Sequence, residues 1–279
     1  MEHGTQFHAC AAGREGRRTT FRFPPSPAPV PAPVSAPRSP IVLLHGALGA
    51  ADQLTPLRDA LAAHGDAPVH LVEFAGHGVT PPAPGDDAGY RIERLAAHLE
   101  GWLDTHAPSG AVLFGYSMGG YVALHLAATR PARVAAVVTL GTKLAWTPEV
   151  AAREASRLDP AVLRAKVPRF ADALAARHAG GGWEAVLART AGLLTALGAH
   201  PLLTPDVLAT IACPVRVLVG DRDATLPVAE CVDAVRALPR GELGVLPGTP
   251  HPLEQVNAER LAREVAEVAA GVSAPPTGR

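Results

Sequence analysis

Between Ile41 and about Ala270 two apolar patterns alternate along the chain. The first is a short continuous run that ends in a glycine-bearing loop: "IVLLHG", "VHLVEFAGHG", "AVLFGYSMGG", "VAAVVTLG", "PVRVLVGDRD" and "GELGVLPGTPH". The second is a helix-length segment of mixed polarity, at about 52–64, 90–105, 118–130, 228–238 and 253–270. Short apolar runs bounded by turn residues read as strands buried on both faces. Strands that alternate with helices imply a parallel sheet covered on both sides. The fold class expected is α/β, a mostly parallel sheet with helices on both faces.

The alternation stops from Lys143 to about Pro205. "PEVAAREASRL", "DPAVLRAKVPRFADALAARH" and "WEAVLARTAGLLTAL" read as helices, with "HAGGGW" as a break. Asp159 followed by Pro160 has the form of an N-cap with proline in the first helical position. Helices inserted between two strands of one sheet predict a lid over residues 143–205. The sheet domain is then made of residues 41–142 and 206–272, with 273–279 a flexible tail. Residues 24–40, "PPSPAPVPAPVSAPRSP", are proline-rich and read as an extended linker, on the order of 50 Å long. Residues 1–23 read as a tail, with a β-hairpin in "QFHACAAGREGRRTTFRF" as the alternative. A docking motif for an aromatic groove is a further reading of the linker.

Composition narrows the function classes. With 279 residues, 48% of them apolar, the chain can bury a large core, and a formal net charge of −1 without a long basic run argues against nucleic acid. Three widely spaced cysteines, Cys10, Cys213 and Cys231, suit neither a disulfide framework nor a metal site. The N-terminus lacks the apolar core of a signal peptide, and no apolar run is long enough to span a membrane. The expected setting is cytoplasmic, with a small-molecule substrate, no metal, and an oligomeric state left open.

One stretch carries chemistry. Residues 115–119 are Gly-Tyr-Ser-Met-Gly, a G-x-S-x-G motif between a predicted strand and a predicted helix. A turn this tight leaves no room for a Cβ at Gly115 or Gly119, and it lifts Ser117 above the strand end. A serine hydroxyl is a weak nucleophile at neutral pH and needs a base, which in turn needs an orienting acid. His251, in the loop after the last strand, is the candidate base. The loop after the preceding strand offers Asp221 and Asp223. Asp223 is chosen as the acid because it lies further along the loop, while Asp221 is better placed for turn hydrogen bonding. The order Ser117, Asp223, His251 is the one this strand–turn–helix architecture uses. Backbone N–H groups of Met118 and Ala47, with Leu48 the second choice, would form the oxyanion hole. The less specific reading is a glycine-rich turn with an incidental serine, a capping aspartate and a loop histidine.

With these residues in hand, the chain resembles the α/β-hydrolase fold superfamily. The pieces "LLHGALG", "FAGHG", "GYSMGG", "GDRD" and "GTPHPLEQ" occur in order and at normal spacing. The resemblance implies an eight-stranded, mostly parallel sheet, a nucleophile elbow, a helical lid after the sixth strand and no cofactor. It gives His45, beside Gly46, the role of supporting the oxyanion loop, and makes His77 structural. The stretches "LLHGALGAADQLTPL" and "TLGTKLAWTPEVAARE" also look like small bacterial lidded hydrolases of unassigned substrate. The proline-rich segment departs from the pattern, since a short loop normally precedes "LLHG".

The function expected is cleavage of a small carboxylic ester, thioester or lactone through an acyl-enzyme. Two alternatives share the scaffold: a non-hydrolytic enzyme, such as a lyase or cofactor-free haloperoxidase, and a ligand receptor with vestigial hydrolysis. Leu48, Tyr116, Trp146, Phe170 and Trp183 are candidates for the substrate pocket, and the aromatic residues of the lid serve equally well as packing. Eight Lys or Arg against five Asp or Glu over 143–205 read mainly as solvated helix faces.

Overall fold

The computed structural model describes residues 38–86 and 89–272. Each of the six apolar runs forms a strand: β1 (Ile41–Leu44), β2 (Val69–Val72), β3 (Ala111–Tyr116), β4 (Val134–Leu140), β5 (Val215–Gly220) and β6 (Gly241–Leu246). All neighbours pair in parallel, in the order β2-β1-β3-β4-β5-β6. The described sheet therefore has six strands, not eight. The hairpin and linker readings for residues 1–37 and the tail reading for 273–279 lie outside the described residues.

Strand position in the sheet decides burial. β1 and β4 are buried at every residue, and β3 at all but Tyr116. The apolar run of β6 does not mark a strand covered on both faces: Leu243 and Val245, which share one face of this edge strand, are exposed. The side-chain period of two sorts β1 between two cores. Ile41 and Leu43 join α1 (Thr55–Leu61) and α10 (Ala258–Ala270) on one face. Val42 and Leu44 join α2 (Ile92–His106), α3 (Met118–Thr129) and α9 (Val228–Ala237) on the other.

Five helices lie between β4 and β5: α4 (Pro148–Ala155), α5 (Pro160–Lys166), α6 (Pro168–Arg177), α7 (Trp183–Ala199) and α8 (Pro205–Leu208). Asp159 caps α5 as expected, its Oδ1 accepting from the N–H groups of Ala161 (2.8 Å) and Val162 (3.1 Å). The single stretch 159–178 divides at Val167, because the residue before a proline is driven out of the helical region and Pro168 restarts the chain as α6. The final helix begins later than its apolar pattern, at Ala258, where the Asn257 side chain accepts from the Arg260 N–H.

Candidate active site

The C-terminal ends of the parallel strands converge on one edge, where ligands bind in open α/β sheets. Ser117 stands alone between β3 and α3, with φ 50° and ψ −113°. An L-residue in such a region costs of order 1–3 kcal/mol and persists only where its surroundings over-determine it. Here they do. The Ser117 N–H donates to the Leu140 carbonyl (2.8 Å), and the Ser117 carbonyl accepts from Gly120 N–H (3.1 Å), Tyr121 N–H (3.3 Å) and Thr142 Oγ1 (3.0 Å). The side chain makes no capping bond to α3, which leaves the hydroxyl uncommitted to the helix.

The flanking glycines meet the steric condition the motif predicts. A Cβ on Gly115 would strike the backbone of Gly119 and Gly120, and one on Gly119 would lie 2.5 Å from the Leu44 carbonyl oxygen and 2.6 Å from that of His45. Neither neighbour is a flexible side-chain end. Gly119→Ala is therefore expected to destabilise the protein by about 3 kcal/mol or more, read as a fall in the thermal midpoint or a loss of soluble protein. A wild-type melt would mean that α3 can retreat from β1.

His251 follows β6 and Asp223 follows β5. Asp223 Oδ2 lies 2.7 Å from His251 Nδ1, while its Oδ1 accepts from the N–H groups of Thr225 (2.7 Å) and Leu226 (2.9 Å). Burial pushes the Asp223 carboxyl up, but His251 and these backbone donors outweigh it and hold the carboxyl below its ordinary range. The turn bonding expected of Asp221 is made by Asp223 Oδ1 instead; Asp221 Oδ1 accepts from Thr249 N–H (3.1 Å) and ties the β5 loop to the loop that carries His251. Tyr116 reaches the same loop, its hydroxyl donating to the His251 carbonyl (2.9 Å). Burial raises the Tyr116 phenol well above its usual value, so it stays a donor.

The depressed Asp223 pKa has a consequence for stability. In the window between its folded pKa and the ordinary value near ~4, the unfolded chain binds a proton that the fold does not, so stability rises with pH there. The contribution is complete above the unfolded value and is lost as pH falls through the folded one. Urea denaturation from about pH 6 to about pH 2 should show a shallower acid loss in Asp223→Asn than in the wild type. Parallel curves would mean that Asp223 is not ion-paired in solution.

His45 is fully buried beneath the loop after β1. Its Nδ1 donates to the Gly46 carbonyl (2.9 Å), and its Nε2 lies 3.1 Å from Phe74 N and 2.8 Å from Glu73 Oε1. The next residues form a turn closed by Gly49 N–H on the Gly46 carbonyl (3.1 Å), with Leu48 at φ 58°. The N–H groups of Ala47, Leu48 and Met118 find no backbone acceptor among the described residues. His77 is buried and stacked on Tyr90, with ring centroids 4.6 Å apart. Burial first, then the neighbouring His45, keeps its pKa well below the ordinary histidine value.

A cavity of about 410 Å³ opens over this edge. Its lining includes Ser117, His251, Ala47, Met118, Leu48, Tyr116, Trp146 and Phe170. Leu158 from the turn after α4 and Leu193, Leu194 and Leu197 from α7 make much of it apolar. Trp183 is not part of this lining. It is buried against Ala171, Leu174 and Leu187, beneath the Arg164 guanidinium at 4.7 Å, so it joins inserted helices to one another. The charges near the mouth are paired: Lys143 with Glu230 (2.7 Å), Arg157 with Glu154 (2.8 Å) and Arg177 with Glu254 (3.3 Å). The bonds of Tyr116, Arg177 and His178 to the active-edge loops carry no sequence signal, since they join residues more than a hundred positions apart. No helix among the described residues is long and apolar enough to cross a membrane.

Comparison with known proteins agrees with this geometry. The model of the α/β hydrolase fold family matches residues 39–193. A pimeloyl-(acyl-carrier protein) methyl ester esterase of Chromobacterium violaceum is 31% identical over 221 residues, 71% of this chain and 82% of that protein. The protein of the same name from Xanthomonas campestris pv. campestris is 29% identical over 242 residues, 80% of this chain and 91% of its own. Among solved structures, a thermophilic esterase from Thermogutta terrifontis superposes with a TM-score of 0.68 at 24% identity, covering 85% of this chain and 91% of that one. Six parallel strands, a strained serine between β3 and α3, and these matches lead to one assignment: the chain belongs to the α/β-hydrolase fold family.

Proposed function

We propose that this protein is a serine hydrolase of the esterase type, cleaving a small carboxylic ester, thioester or lactone through Ser117, Asp223 and His251. The observation that carries the reading is that a backbone-strained Ser117 and His251 line one cavity while His251 Nδ1 is hydrogen-bonded to Asp223. Membership of the fold family and the esterase names of the relatives support it.

In the proposed mechanism His251 Nε2 takes the Ser117 proton as Oγ attacks the substrate carbonyl carbon. The electron pair moves onto the carbonyl oxygen, which the Ala47 and Met118 N–H groups receive. Asp223 holds the Nδ1–H tautomer and stabilises the imidazolium. His251 then protonates the leaving alcohol or thiol as the tetrahedral carbon collapses to the acyl-enzyme. Water, deprotonated by His251, attacks the acyl carbon, and Ser117 leaves with the proton. No cofactor enters this sequence.

On this reading the inserted helices act as a lid, supported by side chains of α6 and α7 that line the same cavity as Ser117. The apolar lining suits an acyl chain of modest length. The names of the relatives put methyl esters first in a substrate screen. The deciding experiment is intact-protein mass after treatment with a fluorophosphonate. A single adduct on the wild type that is absent from Ser117→Ala supports an activated Ser117. No adduct on folded wild type would overturn the hydrolase reading and favour a non-hydrolytic enzyme or a ligand receptor.

A further inference from the structure

The proposed oxyanion loop is held from outside the sheet. Leu48 keeps a positive φ without being glycine, and its carbonyl accepts two side-chain donors from the C-terminal end of α6: Arg177 Nη1 at 3.1 Å and His178 Nε2 at 3.0 Å. His178 is 1% exposed. Its other nitrogen, Nδ1, accepts from the Gly78 N–H at 3.0 Å, in the loop after β2. One ring thus bridges two loops of the active edge in the neutral tautomer, donating at one nitrogen and accepting at the other. Burial lowers the pKa of His178, which favours the neutral ring this bridge requires. Arg177 Nη2 also reaches Glu254, three residues after His251, and Glu254 accepts from Gln53 Nε2 in the segment after β1.

These contacts have a geometric effect. The Leu48 carbonyl and the Gly49 N–H belong to one rigid peptide unit. Fixing that oxygen from α6, while the Gly49 N–H closes on the Gly46 carbonyl, fixes the rotation of the whole 46–49 turn. The Ala47 N–H is inside that turn. A backbone donor misaimed by an ångström loses most of its stabilisation of a developing oxyanion.

We infer that Arg177 and His178 are positioning residues: α6 of the insertion, through the Leu48 carbonyl, aims the Ala47 N–H at the substrate oxyanion. The inference rests on the hydrolase reading. It makes the inserted helices a structural part of the oxyanion hole as well as a roof over the pocket, and it assigns a purpose to the strained Leu48.

The test uses the full-length protein and a short p-nitrophenyl ester. His178→Leu fills the ring's space but removes both hydrogen bonds, and Arg177→Met keeps the stem without the guanidinium. Each should lower kcat about tenfold to a hundredfold with little change in KM, since the defect is confined to the transition state. Binding of a trifluoromethyl ketone, which forms an oxyanion on the serine, should weaken by a similar factor. His178→Gln, whose amide can both donate and accept, should recover much of the loss. A purely structural role would lower the melting temperature and leave kcat and ketone affinity of the folded fraction unchanged. Folded variants with wild-type kcat and ketone affinity would overturn the inference. Should His178→Leu not fold, Arg177→Met decides by the same two readouts. Failure of the hydrolase reading is distinguishable, because the wild type itself would then form no fluorophosphonate adduct, and both proposals would fall together.

Discussion

Ser117→Ala should abolish ester turnover, lowering kcat by about 10⁴-fold to 10⁶-fold, while the protein stays folded. The size of the effect follows from the role. Without Oγ there is no acyl-enzyme, and only binding and the oxyanion donors remain to assist a direct attack by water. Folding should survive because Ser117 is only partly buried and its side chain makes no cap to α3. Loss of one hydroxyl leaves the backbone bonds to Leu140, Gly120 and Tyr121 intact. Alanine at φ 50° carries a strain similar to that of serine. Steady-state kinetics and a thermal melt on the same preparation check both halves. Wild-type turnover in the variant would remove Ser117 from the mechanism, whatever its backbone geometry.

The second large effect separates two aspartates that are two positions apart. Asp223→Asn should lower kcat by about 10⁴-fold, because an amide oxygen or nitrogen facing His251 Nδ1 no longer enforces the tautomer in which Nε2 is the base. Asp221→Asn should cost less than tenfold, since asparagine retains an acceptor for the Thr249 N–H. The geometry explains the asymmetry. Both carboxylates accept backbone N–H groups, but only Asp223 has an oxygen, Oδ2, within hydrogen-bond distance of the imidazole. Equal losses, or the reverse order, would show that the acid had been misassigned. The acid-limb denaturation experiment gives an independent reading of the same carboxylate.

Much of the architecture could be read from local pattern. Six apolar runs announce six strands because a covered sheet draws mostly apolar residues to its strands, and Gly141 marks the sharp exit of β4. The motif around Ser117 is legible because its steric demands are local: Gly115 and Gly119 are dictated by backbone within a few residues and by the close passage of β1. Asp159 with Pro160 marks a helix start for the same reason. Boundaries that depend on a neighbour are less legible. The division at Val167 and the delayed start at Asn257 become apparent only when capping and proline sterics compete with an apolar pattern that runs through them.

What the sequence by itself determined about this protein is the set of six strands with helices between them and the α/β class; it also put Ser117, Asp223 and His251 forward, in that order, as candidates. Only the tertiary structure decided which side chains from distant segments meet. Trp146 and Phe170 line the cavity and Trp183 does not, though all three are aromatic residues of one polar–apolar pattern. Tyr116 holds the His251 loop across 135 positions, and Arg177 and His178 grip the Leu48 carbonyl across 129 and 130. The physical reason is the range of the forces involved. Steric and capping rules act between neighbours in the chain and leave a local signature. A side-chain hydrogen bond needs two atoms within about 3 Å of each other, and that meeting exists only after the sheet and helices have packed.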